Sequence, residues 1–350
     1  MKVGVLGGGQ LGRMLALAGY PLGMRFRFLD PSLSAPMRHL AEQVVGAYDD
    51  PDALRRFANG LDVVTYEFEN VPVATVRQLA EWAPVYPPPR ALEIAQDRLC
   101  EKTFFAELGI ATAAYVKVDC RVDLDMAVGR IGLPAVLKTR RMGYDGKGQM
   151  VLRTMADLVA AWTTMGGSSL ILEGFIGFAR ELSVIAVRGR DGATACYPLV
   201  ENHHEGGILR TAIAPALHSA GALQGRAEAI ARQVLAALDY VGVLAIELFD
   251  VDGQLVANEM APRVHNSGHW TIEGAVTSQF ANHLRAIAGL PLGSTAARGR
   301  ATLTNLIGTV PDPAEVLKID GAYIHLYDKE PRPGRKLGHV TVVAATEGGE

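Results

Sequence analysis

The sequence predicts a multi-domain protein that combines an α/β part with an α+β part, and three observations support this prediction. Over roughly the first 85 residues, strand-like apolar runs alternate with helix-like segments, which favours a parallel sheet covered by helices. The run Pro87-Pro88-Pro89 then interrupts the pattern as a stiff break. Beyond it the pattern becomes strand-rich, and a chain of 350 residues is long enough to bury two or three cores.

Residues 1–90 are expected to form the first domain. Apolar runs and turn residues predict its elements in this order: a strand at 3–6, a helix at 10–19, a strand at 24–29 that ends at Asp30, helices at 35–43 and 51–58, and a strand at 62–66. This alternation of strand and helix is typical of a sheet with helices on its faces.

Residues 91–295 are expected to form a larger α+β domain with a strand-rich lobe at about 112–178. Its predicted elements are a helix at 98–107 capped by Gly109, strands at 136–138, 149–152 and 170–173, helices at 155–165 and 222–238, and a strand pair at 243–249 and 255–260. Residues 296–350 are expected to form a small β-rich domain, in which strands at 323–326 and 339–343 flank a loop of proline, glycine and basic residues.

The composition excludes several classes of function. A net charge of −3 without a long basic run gives no reason to expect binding to nucleic acid or to an anionic membrane. Cys100, Cys120 and Cys196 have neither metal-ligand spacing nor a disulfide framework, so we expect reduced thiols in a cytoplasmic protein. The first strand follows Met1-Lys2 directly, which argues against a signal peptide, and no apolar window is long enough to span a membrane.

The richest stretch of sequence is the predicted hairpin at 243–260, which carries acids on apolar strands. If residues 251–253 form a three-residue loop, Glu247 lies opposite Ala257, diagonal to Glu259 and on the same face. Two carboxylates that converge on a half-buried surface repel each other unless a cation lies between them. Carboxylate oxygens are suitable ligands for a Mg²⁺ ion that also binds the phosphate oxygens of a substrate. The alternative is a surface hairpin with solvated acids.

The hairpin is followed directly by three anion-binding and orienting groups, Arg263, His265 and Asn266.

The earlier loop at 7–12 fits the pattern G-x-G-x-x-G after a strand, with Asp30 after the next strand, and this is the dinucleotide fingerprint. A glycine turn at a helix N-terminus can hold any phosphate, however, and it can also be purely structural. Glu67 and Glu69 leave the next strand, and either could accept hydrogen bonds from a ribose or an amine.

A third group of residues predicts a nucleotide clamp. Lys138 ends an apolar strand, and the glycine-rich loop at 143–149 follows it. A strand lysine and a mobile glycine loop can hold and cover polyphosphate, although the sequence lacks a Walker A motif and Lys138 alone could be a surface lysine. The segment 173–176 ends the next strand and could contact a base and a ribose, with Glu181 as a further ribose contact and Arg98 as a phosphate contact.

In order and spacing, these features resemble the ATP-grasp fold. Within that superfamily the sequence resembles the N5-carboxyaminoimidazole ribonucleotide synthetases over essentially its whole length. The segments that carry this narrower resemblance are GGGQLGRM at 7–14, GYDGKGQ at 143–149, RVHNSGH at 263–269, and HLYDK at 325–329 running into RPGRKLGH at 332–339. Family members often carry arginine where Lys147 stands, which puts bidentate anion binding there in doubt.

The resemblance implies an ATP-grasp domain between an N-terminal Rossmann-like domain and a small C-terminal domain. It also implies an ATP-dependent carbon–nitrogen ligase of purine biosynthesis. In this reaction ATP, bicarbonate and 5-aminoimidazole ribonucleotide give the N5-carboxylated nucleotide, ADP and phosphate, by way of carboxyphosphate. The expected metal is Mg²⁺, with Mn²⁺ as an alternative, and the expected assembly is a homodimer.

The resemblance further implies roles for individual residues. Glu247 and Glu259 would hold the metal. The residues expected to bind ATP are Arg98, Lys138, Gly143, Gly146, Gly148, Gln149, Glu173, Gly174, Phe175, Ile176, Glu181, His204, Asn258 and Glu259. Those expected to act on bicarbonate, its phosphorylated form and the reacting amine are Arg263, His265, Asn266, Tyr144, Asp145 and Lys147. Those expected to bind the nucleotide substrate are Gly9, Gln10, Leu11, Glu67, Lys329 and Arg335.

Other functions fit parts of the sequence. An NAD-dependent Rossmann oxidoreductase would explain the loop at 7–12 and Asp30 but would leave the acids of the hairpin without a role. Among ATP-grasp ligases, a formate-dependent glycinamide ribonucleotide transformylase is the main alternative. A nucleotide-binding regulator without turnover is a third class of protein. Phosphate release with each acceptor, with and without bicarbonate, separates these alternatives.

Overall fold

Three β-sheets organise the protein in a computed structural model, which describes residues 1–143, 146–219 and 221–344. The first sheet is parallel, with strand order β3-β2-β1-β4. The elements of this N-terminal part are β1 Lys2–Leu6, α1 Gln10–Gly19, β2 Arg25–Asp30, β3 Glu42–Val45, α2 Pro51–Ala58, β4 Val63–Tyr66 and α3 Val73–Ala80. Because the carboxyl ends of parallel strands meet at one edge, the glycine loop after β1 and the acids after β4 lie close together.

The predicted helix at 35–43 is wrong. Residues 36–40 form a turn, and residues Glu42–Val45 form β3 at the edge of the sheet. Pairing with β2 satisfies the backbone of β3, and the valines of that strand favour a pleated conformation over a helix. The turn itself is tied to the glycine loop, since Met37 N donates to Gly8 O at 3.0 Å.

Two helices follow the triple proline and connect the parallel sheet to the rest of the chain. They are α4 Pro89–Ala95 and α5 Arg98–Glu107. Proline suits the first turn of a helix because that position needs no N–H donor, which explains why α4 begins at Pro89. Asp97 caps α5 by accepting a hydrogen bond from Leu99 N at 3.0 Å.

The second sheet is a small antiparallel layer with strand order β5-β8-β6-β7, which we call the lid sheet. Its strands and the two helices beside it are β5 Tyr115–Val118, α6 Arg121–Ile131, β6 Ala135–Thr139, β7 Gln149–Leu152, α7 Asp157–Met165 and β8 Leu170–Gly174. Leu124, Leu137 and Leu158 are fully buried between the helices and the sheet. The loop between β6 and β7 is the predicted glycine loop at 143–149.

Among the described residues the third sheet has nine strands and is antiparallel, in the order β14-β13-β9-β11-β12-β15-β17-β16, with β10 paired to β9. Its elements are β9 Arg180–Arg188, β10 Thr194–Cys196, β11 Val200–Glu205, β12 Ile208–Ala214, α8 Ala222–Ala237, β13 Gly242–Val251, β14 Gln254–Ala261, α9 Thr271–Gly274, α10 Gln279–Ala288, β15 Arg300–Ile307, α11 Pro313–Val316, β16 Ala322–Leu326 and β17 Lys336–Ala344. The C-terminal strands β15, β16 and β17 therefore extend this third sheet, which we call the central sheet, because β15 pairs with β12.

The β13–β14 hairpin differs from the predicted register. Its loop has two residues, Asp252 and Gly253, both with positive φ, as in a type I′ turn. A β-bulge at Asn258 then brings Glu259 directly opposite Glu247, rather than diagonal to it. Across the residues that the structure describes, the helices are too short or too polar to span a membrane.

Candidate active site

A cleft of about 680 Å³ lies where the three sheets meet. It brings together most of the residues that the sequence singled out. The predicted site residues that line it are Gln10, Leu11, Glu67, Arg98, Lys138, Gly143, Gly146, Lys147, Gln149, Glu173, Gly174, Phe175, Ile176, Glu181, His204, Glu247, Asn258, Glu259, Arg263, His265 and Asn266. Gly9, Gly148, Lys329 and Arg335 are outside this lining, and Tyr144 and Asp145 lie outside the described residues.

The two hairpin acids face the cleft side by side. Arg98 Nη1 donates to Glu259 Oε2 at 2.8 Å. Burial alone would raise the pKa of the Glu259 carboxyl, but the Arg98 guanidinium outweighs burial and lowers it. For Glu247, burial and the Glu259 carboxylate both raise the pKa. The pair is therefore electrostatically unfavourable as it stands, and a cation between the two carboxylates would relieve it.

Three residues after the hairpin form an anion-binding corner. Arg263 forms an ion pair with Glu69 and donates to Val264 O at 3.0 Å. Glu69, which the sequence offered as an alternative to Glu67 for contacting a ligand, lines the cleft and orients Arg263. Both amide atoms of Asn266 are buried and have no hydrogen-bond partner among the described residues. A buried amide without partners is costly, and a polar ligand in the cleft would satisfy it.

His265 is held beside these residues as a neutral ring. Burial, together with the nearby Arg263 charge, lowers the pKa of His265 to about 3. Its Nδ1 lies 2.8 Å from Ser267 Oγ, and its Nε2 lies 3.5 Å from Glu247 Oε1. Gln279 fixes the backbone, accepting from His265 N at 2.9 Å and donating to His265 O at 2.6 Å.

The lid sheet contributes the cationic side of the cleft. Lys138 Nζ donates to Glu173 Oε2 at 2.9 Å, and burial lowers the pKa of Lys138. Burial would raise the pKa of Glu173, but Lys138 and Lys102 outweigh this effect and lower it. Glu173 Oε1 is buried without a described partner, so it is available to a ligand. Across the cleft, His204 forms an ion pair with Glu181. Burial alone would lower the pKa of His204, but the bond to Glu181 outweighs burial, and the pKa is raised.

The glycine loop of the lid sheet reaches the opposite wall. Gly146 has a φ of +74°, and a Cβ there would come within 2.8 Å of Gly206 O in the β11–β12 turn. Gly148 has a φ of +72°, and a Cβ there would come within 2.5 Å of Thr139 Oγ1. Both positions therefore require glycine, and the loop lies close enough to the β11–β12 turn to cover the cleft.

The N-terminal glycine loop is held by acids of its own domain. Glu67 accepts hydrogen bonds from Gly9 N at 2.6 Å and from Gly12 N at 3.0 Å, and Asp30 accepts from Gly8 N at 2.9 Å. Burial raises the pKa of Glu67, and the hydrogen bonds from the Gly12 and Gly9 amides offset only part of this rise. A dinucleotide pyrophosphate would need the amides that the two acids occupy, so the geometry disfavours NAD.

The loop between β16 and β17 brings a lysine to the same place. Lys329 Nζ donates to Gln10 Oε1, which joins the C-terminal strands to the N-terminal glycine loop. Burial lowers the pKa of Lys329 to about 8, although Glu67 opposes this shift. The Arg335 guanidinium donates to Glu330 O at 3.0 Å within its own loop. An anion beside Gln10 would thus meet Lys329 first.

Comparison with known proteins agrees with this geometry. Family models match residues 1–96 as a ribonucleotide synthetase preATP-grasp domain, residues 103–280 as an ATP-grasp domain, and residues 301–348 as a phosphoribosylaminoimidazole carboxylase C-terminal domain. An N5-carboxyaminoimidazole ribonucleotide synthase of Pseudomonas aeruginosa is 55% identical over 99% of this chain and 95% of its own length. The chain belongs to the N5-carboxyaminoimidazole ribonucleotide synthase family.

Solved structures place the chain in the same family of synthases. The crystal structure of the Thermus thermophilus synthetase has a TM-score of 0.95 and 59% identity, and covers 98% of this chain and 94% of that chain. The Aspergillus clavatus synthase, solved in complex with ADP and 5-aminoimidazole ribonucleotide, has a TM-score of 0.91 and 34% identity, and covers 99% and 94%. The predicted ATP-grasp fold, with a parallel N-terminal sheet and C-terminal antiparallel strands, is confirmed.

The sequence analysis missed two residues that support the synthase cleft from α5. Lys102 Nζ donates to Asn258 O at 2.8 Å and lies 3.5 Å from Glu173 Oε2. Glu101 Oε1 accepts a hydrogen bond from Met260 N at 2.6 Å. Both side chains are 1% exposed, on the helix face that also buries Phe105. Charged residues one turn before a buried phenylalanine are the sequence signal that could have found them.

Proposed function

We propose that the protein carboxylates 5-aminoimidazole ribonucleotide at the amine, using ATP and bicarbonate and releasing ADP and phosphate. One observation carries the proposal: a single cleft joins a cationic lid side, a pair of acids, an anion-binding corner and the N-terminal glycine loop, whose Gln10 accepts a hydrogen bond from Lys329. The relative solved with ADP and 5-aminoimidazole ribonucleotide supports this pair of ligands. In this proposal ATP occupies the lid side of the cleft and the nucleotide occupies the side of the N-terminal glycine loop.

ATP would bind between the lid sheet and the β13–β14 hairpin. Lys138 is placed to neutralise phosphate charge, and the partnerless Glu173 Oε1 can accept a hydrogen bond from the ligand. Glu181 and His204 form the facing wall. Contacts to the base and ribose would come from the backbone at 174–176, and Arg98 adds charge near the hairpin.

Glu247 and Glu259 fit a divalent cation. Their carboxylates are hard oxygen ligands that repel each other in its absence, and two acids leave coordination positions for phosphate oxygens. Bound Mg²⁺, or Mn²⁺ in its place, would offset charge on the transferring phosphoryl group. Arg98 keeps Glu259 ionised, and Lys102 fixes the backbone of Asn258 at the bulge in β14.

Bicarbonate would bind at Arg263, His265 and Asn266. The Arg263 guanidinium, oriented by Glu69, supplies positive charge, and the partnerless Asn266 amide supplies both a donor and an acceptor. Since His265 is neutral, it contributes a hydrogen bond rather than a charge. These groups would position bicarbonate for attack on the γ-phosphate of ATP and then hold carboxyphosphate.

The glycine loop of the lid sheet would shield that labile intermediate from water. Gly146 and Gly148 allow its close approach to the β11–β12 turn and to Thr139. Tyr144, Asp145 and Lys147 are proposed to act on the reacting amine and the intermediate from this loop.

The nucleotide would bind at the N-terminal glycine loop. Glu67 occupies the amides of Gly9 and Gly12, which leaves the cleft-lining Gln10 and Leu11 to meet the 5′-phosphate. Lys329 would supply its counter-charge, and Arg335 would add to it.

Phosphate release from ATP tests the proposal. The purified protein is assayed with 5-aminoimidazole ribonucleotide, with glycinamide ribonucleotide and with no acceptor, each with and without bicarbonate or formate. We expect release that depends on both 5-aminoimidazole ribonucleotide and bicarbonate, with the carboxylated nucleotide as product. Formate-dependent release with glycinamide ribonucleotide would instead indicate the transformylase, and single-turnover ATP binding without ADP formation would indicate a regulator.

We also infer a cytoplasmic homodimer. Cys100, Cys120 and Cys196 are free thiols, which suits a reducing compartment. The resemblance to the family supports the dimer, which light scattering would detect as a particle of twice the chain mass of 37.4 kDa.

A further inference from the structure

The turn at residues 36–40 contacts both halves of the proposed phosphate site, which are the N-terminal glycine loop and the β16–β17 loop that carries Lys329. On one side this turn holds the N-terminal glycine loop at 7–12, since Met37 N donates to Gly8 O at 3.0 Å and Arg13 Nη1 donates to Pro36 O at 3.3 Å. The fully buried Met37 also packs under Gly12, where an added Cβ would come within 2.6 Å of its sulfur. The glycine loop therefore depends on this turn for its position.

On the other side the same turn holds the residue before Lys329. Arg38 Nη2 lies 2.7 Å from Asp328 Oδ2. The other nitrogen of the guanidinium group, Nη1, donates to Ser34 O at 3.3 Å and to Ala35 O at 3.4 Å, so Arg38 is oriented by its own turn. The ion pair thus connects the N-terminal domain to the β16–β17 loop.

Asp328 has an unusual backbone conformation, with a φ of +56°. Residues other than glycine rarely adopt such values, and aspartate and asparagine tolerate them better than most. This conformation sets the direction in which the chain leaves β16 towards Lys329, whose ammonium group reaches Gln10. The direction of Lys329 therefore follows from the conformation of Asp328.

Tyr327 anchors the segment from the opposite side. Its hydroxyl lies 2.6 Å from His339 Nδ1 in β17, and both side chains are buried. Lys329 Nζ lies 5.8 Å from the centre of the Tyr327 ring. Tyr327 is thus fixed to the central sheet, and Asp328 is the joint at which the N-terminal domain can set the position of Lys329.

We propose that Arg38 and Asp328 are positioning residues that align Lys329 with the glycine loop, so that the 5′-phosphate of the nucleotide substrate meets both halves of its site at once. This inference rests on the proposed function, in which Lys329 binds that phosphate. The ion pair contributes little to stability because its side chains are 28% and 41% exposed. Its effect is geometric, since a small misplacement of a binding group weakens binding strongly.

The test compares four variants of the full-length protein: Arg38→Ala, Asp328→Asn, Lys329→Ala and the double variant Arg38→Ala/Lys329→Ala. Asparagine keeps the tolerance for positive φ at position 328 and removes only the charge. Steady-state assays give the KM for 5-aminoimidazole ribonucleotide and the KM for ATP separately. Arg55→Ala is the matched control, because Arg55 also pairs with an aspartate on the surface of the N-terminal domain, at 3.0 Å from Asp52.

We expect Arg38→Ala and Asp328→Asn each to raise the KM for the nucleotide by about 5- to 20-fold, with the KM for ATP unchanged. Melting temperatures should match the wild type, and Arg55→Ala should match it in every measurement. The double variant should be no worse than Lys329→Ala, because Arg38 acts through Lys329.

Two outcomes overturn the inference alone. In the first, Lys329→Ala raises the nucleotide KM while Arg38→Ala and Asp328→Asn do not. In the second, the effects of Arg38→Ala and Lys329→Ala multiply, which would mean that Arg38 contacts the phosphate itself. If Lys329→Ala leaves the nucleotide KM unchanged, the proposed phosphate site fails and the inference fails with it.

Discussion

Replacing Glu259 by glutamine should abolish turnover and leave the fold about as stable as before. Glu259 lies directly opposite Glu247 and accepts a hydrogen bond from Arg98 at 2.8 Å. Glutamine keeps the volume of the side chain and an oxygen for Arg98, and it removes one negative charge from the paired acids. If these acids hold Mg²⁺ against the phosphates of ATP, the variant loses the charge that the metal needs.

Two opposing electrostatic changes decide the stability of this variant. The Glu259 side chain is 39% exposed, so solvent screening limits the loss of its ion pair with Arg98 to about 1 kcal/mol. Removing the repulsion from Glu247, at a cross-strand separation of about 5 Å and an effective dielectric constant of about 20, returns at most about 3 kcal/mol before the same screening. The changes offset each other to within about 2 kcal/mol, a small part of a typical total stability of about 5–15 kcal/mol.

The assay measures phosphate release at saturating substrates and, separately, the urea midpoint in a metal-free buffer. We expect kcat to fall at least about 100-fold, the upper end of the loss for residues that merely orient a metal ligand. Glu201→Gln is the control: it makes the same substitution on β11, outside the cleft, where it loses a partner in Arg180 at 3.4 Å. A Glu259→Gln protein that keeps more than about a tenth of the wild-type kcat refutes the metal site. Lost activity together with a large fall in the urea midpoint would make Glu259 a structural acid.

Three further predictions concern other parts of the molecule. Replacing Lys329 by alanine should raise the KM for 5-aminoimidazole ribonucleotide through the loss of roughly 1.5–3 kcal/mol. Arg335→Ala should raise it less, because Lys329 contacts the cleft-lining Gln10 whereas Arg335 donates to Glu330 O within its own loop. Weakened ATP binding in these variants would instead assign both residues to the other substrate. Gly146→Ala adds a methyl group that clashes with the β11–β12 turn, so it should raise the amount of phosphate released per carboxylated product. Gly177→Ala is the control, because its methyl group meets open space, and it should keep this ratio near one. An unchanged ratio in a slowed Gly146 variant would show that the loop does not guard the intermediate. Burial lowers the pKa of His283 to about 3, whereas the pKa of an ordinary histidine is about 6.5. The stability of the fold is therefore full above pH 6.5 and falls by at most roughly 5 kcal/mol as the pH falls from there towards 3, because the unfolded chain takes up a proton that the buried ring does not. Urea midpoints of His283→Gln that show the same acid sensitivity as the wild type would contradict this.

The hairpin shows how far sequence reasoning reaches. Its two acids on apolar strands predicted the pair of carboxylates, because alternation in a strand fixes which residues share a face. The register was wrong for two reasons: the loop has two residues rather than three, and contacts from elsewhere in the chain stabilise a bulge at Asn258. Ala257 N donates to Ala111 O at 2.7 Å, and Lys102 binds Asn258 O. Neither contact can be read from the hairpin itself.

The turn at residues 36–40 shows the opposite case, in which a local sequence pattern gave a wrong prediction. Residues 35–43 were predicted as a helix, yet their backbone pairs with β2 and with the glycine loop. Tertiary pairing overrode a weak helical preference there. The ion pair of Arg38 with Asp328 joins residues 290 positions apart, and no spacing rule within either segment could have indicated it.

The nine-stranded sheet determines which parts of the enzyme can move independently. The hairpin acids on β13 and β14 and the β16–β17 loop with Lys329 belong to one hydrogen-bonded frame. In the described chain the lid sheet shares no strand with this frame. We therefore expect the lid to open for the exchange of ADP and ATP while the distance between the acids and the β16–β17 loop stays constant. We expect amide hydrogen exchange to be faster in β6 and β7 than in β13 and β15, and ATP to slow it in the lid alone.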